Sequence, residues 1–151
     1  MIYLAADHRG FQLKEELKAF LSEQGYEVED VGAFAYDKDD DYVDFARLAS
    51  EKVAQDPSPH RGIFICGSGH GIDMVVNKYR GLRAALSFNK EVAVQSREHE
   101  DANVLVLASD WIEEPEAKEI AATWLTAAFT GEERHVRRLK KIEEIEERNF
   151  K

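Results

Sequence analysis

The residues best suited to chemistry lie in one stretch, residues 62–72, where a run of β-branched and aromatic residues ends in the only cysteine of the chain, Cys66. Three glycines alternate after it, Gly67, Gly69 and Gly71, and lead into a segment that can be helical. This order predicts a strand, a tight turn and a helix. Such a turn directs backbone N–H groups and the positive end of a helix at one point, which favours an anion or a developing oxyanion. The same field stabilises a thiolate, so we predict that Cys66 has a lowered pKa and acts as a base or a nucleophile.

More ordinary interpretations of the same stretch stay open at this point. A cysteine at the end of a buried strand is often a small packed hydrophobe, and glycines after a strand are often plain turn residues. The stretch is not a Walker loop, because no Gly-Lys-Ser/Thr follows it. Its glycines are spaced by two throughout, so it does not match the dinucleotide-binding fingerprint either.

Composition limits the class of protein. A chain of 151 residues, 44% hydrophobic and 33% charged, fits one globular domain over residues 1–151. The net charge of −10 disfavours non-specific nucleic-acid binding, which needs a basic surface. A single cysteine excludes an internal disulfide and fits a reducing compartment. Since Met1 leads directly into an apolar strand and no run of 18 apolar residues follows, we expect no signal peptide, no membrane span and a cytoplasmic location.

The rest of the chain alternates short apolar runs with amphipathic segments, which predicts a parallel sheet with helices on both faces. The predicted strands are residues 2–6, 27–31, 62–66, 82–86 and 103–107. Helical spacing of apolar residues, with charged residues between them, predicts helices that end near Gly25 and near residue 56, a short helix after Gly71, and further helices over 90–98, 117–128 and 135–149.

Two polar turns follow predicted strands and are candidates for a common site. Asp7 and His8 come directly after the first strand, and the glycine turn follows the third. In parallel sheets, ligands bind beyond the carboxyl ends of the strands at a switch point, so the two turns would face each other if these strands are neighbours. Capping of the first helix is the alternative role for Asp7. The acidic run 37–41 lacks the sixth-position glycine and the closing glutamate of a calcium loop, which favours a solvated turn over a metal site.

Several motifs follow one another along nearly the whole chain: Asp7-His8-Arg9-Gly10-Phe11, Asp41-Tyr42 with Asp44, Cys66-Gly67-Ser68-Gly69, Arg97-Glu98-His99, and Arg134-His135 with Arg137-Arg138. In this combination the chain resembles the type B ribose-5-phosphate isomerases, a family that includes the galactose-6-phosphate isomerase subunits. The resemblance implies an aldose–ketose isomerase for a sugar phosphate, without metal or cofactor. It also implies a three-layer α/β/α, Rossmann-like fold, with a five-stranded parallel sheet of order 2-1-3-5-4 and a C-terminal helix. The active sites would be shared within a homodimer, and whether dimers pair into tetramers stays open.

The resemblance also implies roles for individual residues. Cys66 would move a proton between C1 and C2 of the open-chain sugar, and Ser68 would relay a proton. The amides of Gly67, Gly69 and Gly71 would hold the enediolate oxygen, and His99 of the partner subunit would open the furanose ring. Asp7 would be a further catalytic residue and, with His8, would position the hydroxyls and the phosphate. The substrate-binding set would comprise His8, Tyr42, Arg134 and Arg138, with the two arginines on the phosphate. The alternatives are a surface histidine at position 99 and a solvated basic face around the arginines.

Three positions depart from the family pattern inside the expected site. Glu100 stands where asparagine is usual, and Asp110 stands where an arginine commonly assists the phosphate from the partner subunit. A carboxylate roughly 4–6 Å from a phosphate would cost on the order of 1–4 kcal/mol at intermediate dielectric. An ion pair of Arg97 with either acid is the alternative. His70 replaces a hydrophobic residue, so we predict a second acid–base group there, or a partner that lowers the pKa of Cys66.

Three functions are compatible with these residues. The first is interconversion of ribose 5-phosphate and ribulose 5-phosphate through an enediolate, with Cys66 as the base and His99 as the ring-opening acid. The second is isomerisation of another tetrose, pentose or hexose with less dependence on phosphate, prompted by Glu100 and Asp110. The third is non-catalytic binding of a sugar phosphate.

Overall fold

A computed structural model describes residues 1–150 as a sheet of five strands flanked by six helices. In chain order the elements are β1 Ile2–Ala6, α1 Phe11–Glu23, β2 Val28–Asp30, α2 Tyr42–Gln55, β3 Arg61–Cys66, α3 His70–Val76, β4 Ala84–Leu86, α4 Lys90–Glu100, β5 Val104–Ala108, α5 Glu114–Thr126 and α6 Glu133–Asn149. None of the helices within the described residues is long and apolar enough to cross a membrane.

The strands are all parallel and lie in the order β2-β1-β3-β5-β4. The expected order, the helices on the sheet and the C-terminal helix are therefore confirmed. The register places Ala6 opposite Ile65, and Cys66 opposite Ala108. The carboxyl ends of β1, β3 and β5 consequently lie side by side, and the loops after these strands meet at one edge of the sheet.

Two apolar layers hold the helices on the sheet. On one face, Leu17 of α1 and Trp124 of α5 pack with residues of the central strands. On the other face, Val53 of α2 and Ile72 of α3 pack with the alternate strand residues. Because β1 and β5 are covered on both faces, all their residues are buried. This explains why these strands are continuous apolar runs rather than alternating patterns.

The edge strands are shorter than predicted. β2 and β4 contain three residues each, and each pairs with a single neighbour.

Asn103, which we predicted as the first residue of the fifth strand, lies just before β5. Its side chain accepts a hydrogen bond from the Arg83 N–H and donates one to the Gly81 carbonyl, which fixes the loop leading into β4.

The turn between β1 and α1 lies directly on β3. A Cβ added at Gly10 would be 2.5 Å from the carbonyl oxygen of Ile65, so only glycine fits at this position without displacing the backbone. The close approach brings the preceding residues, Asp7 to Arg9, beside the end of β3. The glycine thus positions one half of the site against the other.

Candidate active site

The loops after β1, β3 and β5 enclose a cavity of about 290 Å³. It is lined by Asp7, Arg9, Tyr42, Cys66, Gly67, Ser68, Gly71 and Asp110. All of these except Arg9 were candidate site residues from the sequence. The two polar turns therefore face each other, as the strand order requires.

Cys66 lies at the floor of this cavity, at the end of β3. Its side chain packs with the apolar layer below and the residue is only 4% exposed, yet it borders the cavity. Burial raises the pKa of the Cys66 thiol, and the nearby backbone N–H groups of Ile72, Gly69 and Ser68 offset the rise in part. The predicted lowering of the pKa is therefore wrong, because loss of water around the thiolate outweighs the field of the turn. The resting group is a thiol whose ionised form faces three N–H donors.

The glycines of the turn leave room for neighbouring side chains. Gly69 has a φ of 77°, a left-handed conformation that favours glycine, and it precedes α3 directly. Tyr42 lies against Gly71, where an added Cβ would collide with the tyrosine ring. A Cβ at Gly67 would be 2.6 Å from Nε of Arg9. The turn thus exposes its backbone to the cavity while Tyr42 and Arg9 close around it.

Asp7 has a structural role and a place in the cavity. Its Oδ1 accepts hydrogen bonds from the N–H groups of Arg9 and Gly10, at 3.0 and 3.1 Å, so it stabilises the turn that precedes α1. Capping of α1, the alternative role for Asp7, is wrong in its strict form, because the N-cap residue is Gly10 and no side chain caps this helix. Burial raises the pKa of the Asp7 carboxyl, and these hydrogen bonds offset the rise only in part.

His8 is held by a carboxylate that sequence reasoning missed. Oδ1 of Asp40 accepts hydrogen bonds from the backbone N–H of His8, at 2.9 Å, and from its ring Nδ1, at 2.6 Å. The Asp40 side chain is only 8% exposed, so the solvated turn predicted for residues 37–41 is wrong at this position. The bond to Nδ1 leaves Nε2 of His8 for other partners. His8 adjoins Asp7 but does not itself line the cavity.

A metal ion has one candidate location in the described part of the chain. Asp7, His8 and Asp40 each offer a ligand atom, and these atoms lie within 4.8 Å of one another. Oδ1 of Asp7 and Oδ1 of Asp40 already accept the hydrogen bonds described above, whereas Oδ2 of Asp40 is buried without a partner. We assign no metal to this cluster.

The hydrogen bonds of Asp40 lead to a prediction about His8. Substitution Asp40→Asn should lower kcat/KM for the substrate about tenfold or more. The neutral amide oxygen accepts more weakly than the carboxylate, and the amide NH2 group can donate to Nδ1 and so favour the other tautomer of the His8 ring. Steady-state kinetics measure this effect, and circular dichroism monitors the fold. Asp39→Asn is the matched control, since Asp39 is an exposed neighbour in the same acidic run. Equal kinetics for the two variants would contradict a role for Asp40.

The acidic departures from the family pattern lie in different places. Asp110 belongs to the cavity of its own chain, where Oδ2 pairs with Nη2 of Arg9 at 2.6 Å, whereas the resemblance implied a position acting from the partner. Glu100 is exposed at the end of α4 and borders another hollow. Arg97 pairs with Asp101, so the alternative pairing with Glu100 or Asp110 is wrong. Arg9 belongs to the motif Asp7-His8-Arg9-Gly10-Phe11, but no pattern of neighbouring residues indicated that its partner is Asp110.

His99, Arg134 and Arg138 lie on a second surface of the chain. The ring of His99 stacks on the buried ring of His135, with centroids 4.4 Å apart and planes inclined by 14°. Arg134 pairs with Glu132 at 3.0 Å, and Arg138 is exposed on α6. None of the three predicted residues lines the Cys66 cavity. One chain alone therefore does not bring the expected acid and phosphate-binding arginines to the thiol.

His70 is the exposed first residue of α3 and is absent from the cavity lining. Its backbone N–H donates to Oγ of Ser68 at 3.3 Å, which steadies the turn. The nearby charged group that His70 influences is Asp73, whose pKa it lowers against a larger rise caused by burial. The pKa of Cys66 is set by other groups, namely burial, backbone donors and Asp7. The structure thus gives no support to His70 as a partner of the thiol.

Similarity to known proteins agrees with this architecture. The model of the Ribose/Galactose Isomerase family matches residues 2–142. The chain is 40% identical over 141 residues to the probable ribose-5-phosphate isomerase B of Mycoplasma genitalium, covering 93% of this chain and 92% of that protein. A crystal structure of ribose-5-phosphate isomerase B from Mycoplasma genitalium with bound ribulose-5-phosphate matches with a TM-score of 0.94 and 39% identity, covering 97% of this chain and 95% of the other. The solved structure of the Clostridium thermocellum ribose-5-phosphate isomerase B gives a TM-score of 0.92 and 43% identity, with 97% of each chain covered. The resemblance found in the motifs is confirmed, and the chain belongs to the ribose/galactose isomerase family.

Proposed function

We propose that this protein is an aldose–ketose isomerase that interconverts ribose 5-phosphate and ribulose 5-phosphate. The observation that carries the proposal is the thiol of Cys66 at the floor of a cavity that is also lined by Gly67, Ser68 and Gly71 of the glycine turn. Relatives with 39–40% identity over nearly the whole chain are named ribose-5-phosphate isomerase B, and one of them was solved with ribulose-5-phosphate bound.

The reaction follows from this arrangement. The thiolate of Cys66 removes the proton from C2 of the open-chain aldose, the C–H electron pair forms the C1–C2 double bond, and the carbonyl electrons move to O1. The backbone N–H groups of the turn stabilise the resulting oxyanion, a charge that exists only near the transition state. Ser68 relays a proton between O2 and O1, and the thiol returns the first proton to C1. A raised pKa makes the thiolate a stronger base, although less of it is ionised at neutral pH.

The proposal includes a homodimer with shared sites. The acid and the phosphate-binding arginines that the reaction needs lie on a second surface, so His99, Arg134 and Arg138 would reach the Cys66 cavity of the partner subunit. Apolar side chains near the carboxyl end of the sheet support such an assembly. Met74, Phe88 and Trp111 are all exposed, Trp111 by 79%. Exposed apolar residues of this size are typical of surfaces that contact another protein.

A sugar that depends less on its phosphate is the second candidate substrate. The Asp110 carboxylate in the cavity favours it, because a carboxylate repels a phosphate dianion. The pairing with Arg9 weakens this argument, since the two charges compensate each other.

The proposal is tested by assaying the purified protein with ribose 5-phosphate in the presence of a chelator, following ribulose 5-phosphate formation. Free ribose, galactose 6-phosphate and erythrose 4-phosphate complete the panel. Preference for another member would overturn the substrate assignment in favour of the second candidate. Binding of ribose 5-phosphate without exchange of the C2 proton in heavy water would point to a non-catalytic binding protein.

A further inference from the structure

We propose that Arg9 binds the phosphate group of the substrate within its own subunit, and that Asp110 is the positioning residue that holds the Arg9 guanidinium at the rim of the cavity. The inference rests on the proposed function, and it adds an arginine of the same subunit to the two, Arg134 and Arg138, that the proposed function places on the phosphate from the partner.

The pair is part of the wall of the cavity. Nη2 of Arg9 and Oδ2 of Asp110 are 2.6 Å apart, and both side chains line the cavity that contains Cys66. They lie directly on Gly67, where an added Cβ would be 2.6 Å from Nε of Arg9 and 2.8 Å from Oδ2 of Asp110. A side chain at position 67 would therefore push the pair away from the turn.

Backbone contacts fix the loops that carry the pair. The Asp110 N–H donates to the Gly67 carbonyl at 3.0 Å, and the Ser109 hydroxyl donates to the Arg9 carbonyl at 2.9 Å. The Arg9 N–H donates to Asp7. Hydrogen bonds thus fix the backbone of the two loops that carry Arg9 and Asp110, as expected where a side chain orients a ligand.

Exposure indicates which part of the substrate meets this charge. The reacting carbons must approach Cys66, which lies at the floor and is almost fully buried. Arg9 is 56% exposed and lies at the rim. A sugar with C1 and C2 at the floor extends its other end outward, so the guanidinium meets the phosphate rather than the enediolate.

Charge and donor capacity agree with this assignment. Asp7, Asp110 and nearby Asp40 make the region acidic, and Arg9 is the cation that lines the cavity in the described part of the chain. A guanidinium carries several N–H donors, and Asp110 accepts a bond from one nitrogen only. The remaining donors can bind phosphate oxygens, for which the planar group of arginine is well suited.

The test compares Arg9→Gln with the matched control Arg47→Gln, which removes an exposed arginine of α2 that pairs with Glu51. Arg9→Gln should raise KM for ribose 5-phosphate about tenfold or more and change kcat by less than about threefold, because the lost contact is made equally in the ground and transition states. Its Kd for inorganic phosphate, measured by calorimetry, should rise to a similar extent. Arg47→Gln should match the wild type.

The role of Asp110 is tested by a double-mutant cycle. Asp110→Ala removes both the anchor of Arg9 and a charge that repels phosphate, whereas in the Arg9→Gln background only the repulsion is lost. In each background, the KM with Asp110→Ala is divided by the KM without it. This quotient should be about threefold or more higher in the wild-type background than in the Arg9→Gln background. Equal ratios would show that Asp110 does not position Arg9.

The outcomes separate this inference from the proposed function. Turnover of ribose 5-phosphate by the wild type, with KM and phosphate affinity unchanged in Arg9→Gln, overturns the inference alone. A fall in kcat at constant KM also overturns it, because Arg9 would then act on the reacting carbons. If the wild type does not turn over ribose 5-phosphate, the proposed function fails, and phosphate affinity still decides the inference: weaker binding by Arg9→Gln supports it, whereas equal or undetectable binding overturns it.

Discussion

Replacing Cys66 by alanine should lower kcat for ribose 5-phosphate by about three orders of magnitude, because the group proposed to take the C2 proton is removed from the cavity. The fold should persist, because the substitution removes a single sulfur atom that already borders a cavity. The binding of inorganic phosphate should also persist, because the sulfur is not proposed to contact the phosphate. Exchange of the C2 proton in heavy water, followed by NMR, measures the chemical step directly. Cys66→Ser should be similarly inactive, because a hydroxyl is ionised far less readily than a thiol. Retention of exchange in Cys66→Ala would show that another group is the base.

The pH dependence of the wild type provides a second check on the same assignment. Burial raises the pKa of the Cys66 thiol above its ordinary value, so the thiol form predominates near neutrality. The reactive form is the thiolate, and its fraction rises about tenfold per pH unit below the pKa. The base-dependent limb of kcat/KM should therefore rise through neutral pH and level off only above about pH 8.5, the ordinary thiol value. A limb that levels off near pH 6 would indicate a base with a much lower pKa.

The fold was predictable because its signals are local. Apolar runs that end in Asp7 and Cys66, and helical stripes such as Leu13, Leu17 and Leu21, depend only on neighbouring positions in the chain. The alternation of strand and helix then restricts the topology, since parallel crossovers are right-handed. The motifs supplied the strand order through the family resemblance. Errors fell at the edge strands, which pair on one side only and contain three residues each where five were predicted.

The site was less predictable because its decisive contacts join residues far apart in sequence. Asp40 bonds to His8 across 32 positions and Arg9 to Asp110 across 101, and no local pattern marks either pair. Lys14 shows the same limit elsewhere. It stood among charged residues of an amphipathic helix, yet its side chain is fully buried against Asp30. Charge can be read from a sequence, whereas burial and partner depend on the folded topology.

The pKa of Cys66 depends on two opposing effects, and only one of them could be predicted from the sequence. The N–H donors of the turn were expected from the glycine spacing, and they are present. The depth of the sulfur was not visible in the sequence, and desolvation is the larger of the two effects. A glycine turn after a strand therefore predicts where an anion is stabilised, but it does not predict the protonation state of a thiol beneath it.

Replacing His99 by asparagine should lower kcat/KM for ribose 5-phosphate by about 100-fold or more, because the group proposed to protonate the ring oxygen is lost. Erythrose 4-phosphate is the discriminating substrate, since its terminal hydroxyl carries the phosphate and it cannot close a furanose ring. Turnover of erythrose 4-phosphate, where the wild type shows it, should fall much less. An equal loss on both substrates would assign His99 to the proton transfer between carbons instead of ring opening. Thr123→Ala is the control, because Thr123 and His99 line one and the same surface hollow between α4 and α5.

Mixing two inactive variants tests whether the site is shared between subunits. Co-expressed Cys66→Ala and His99→Asn chains should give dimers of which about half are mixed, and each mixed dimer should contain one intact site and one with both lesions. The mixture should therefore recover about one quarter of wild-type activity, although each parent is nearly inactive. His99 lies outside the cavity of its own Cys66, on a surface formed by α4 and α6, so recovery is the result expected if the partner subunit supplies this histidine. Absence of recovery in dimers shown to be mixed by mass spectrometry would mean that Cys66 does not act with the partner subunit's His99, and that ring opening must be assigned to a residue of the same cavity.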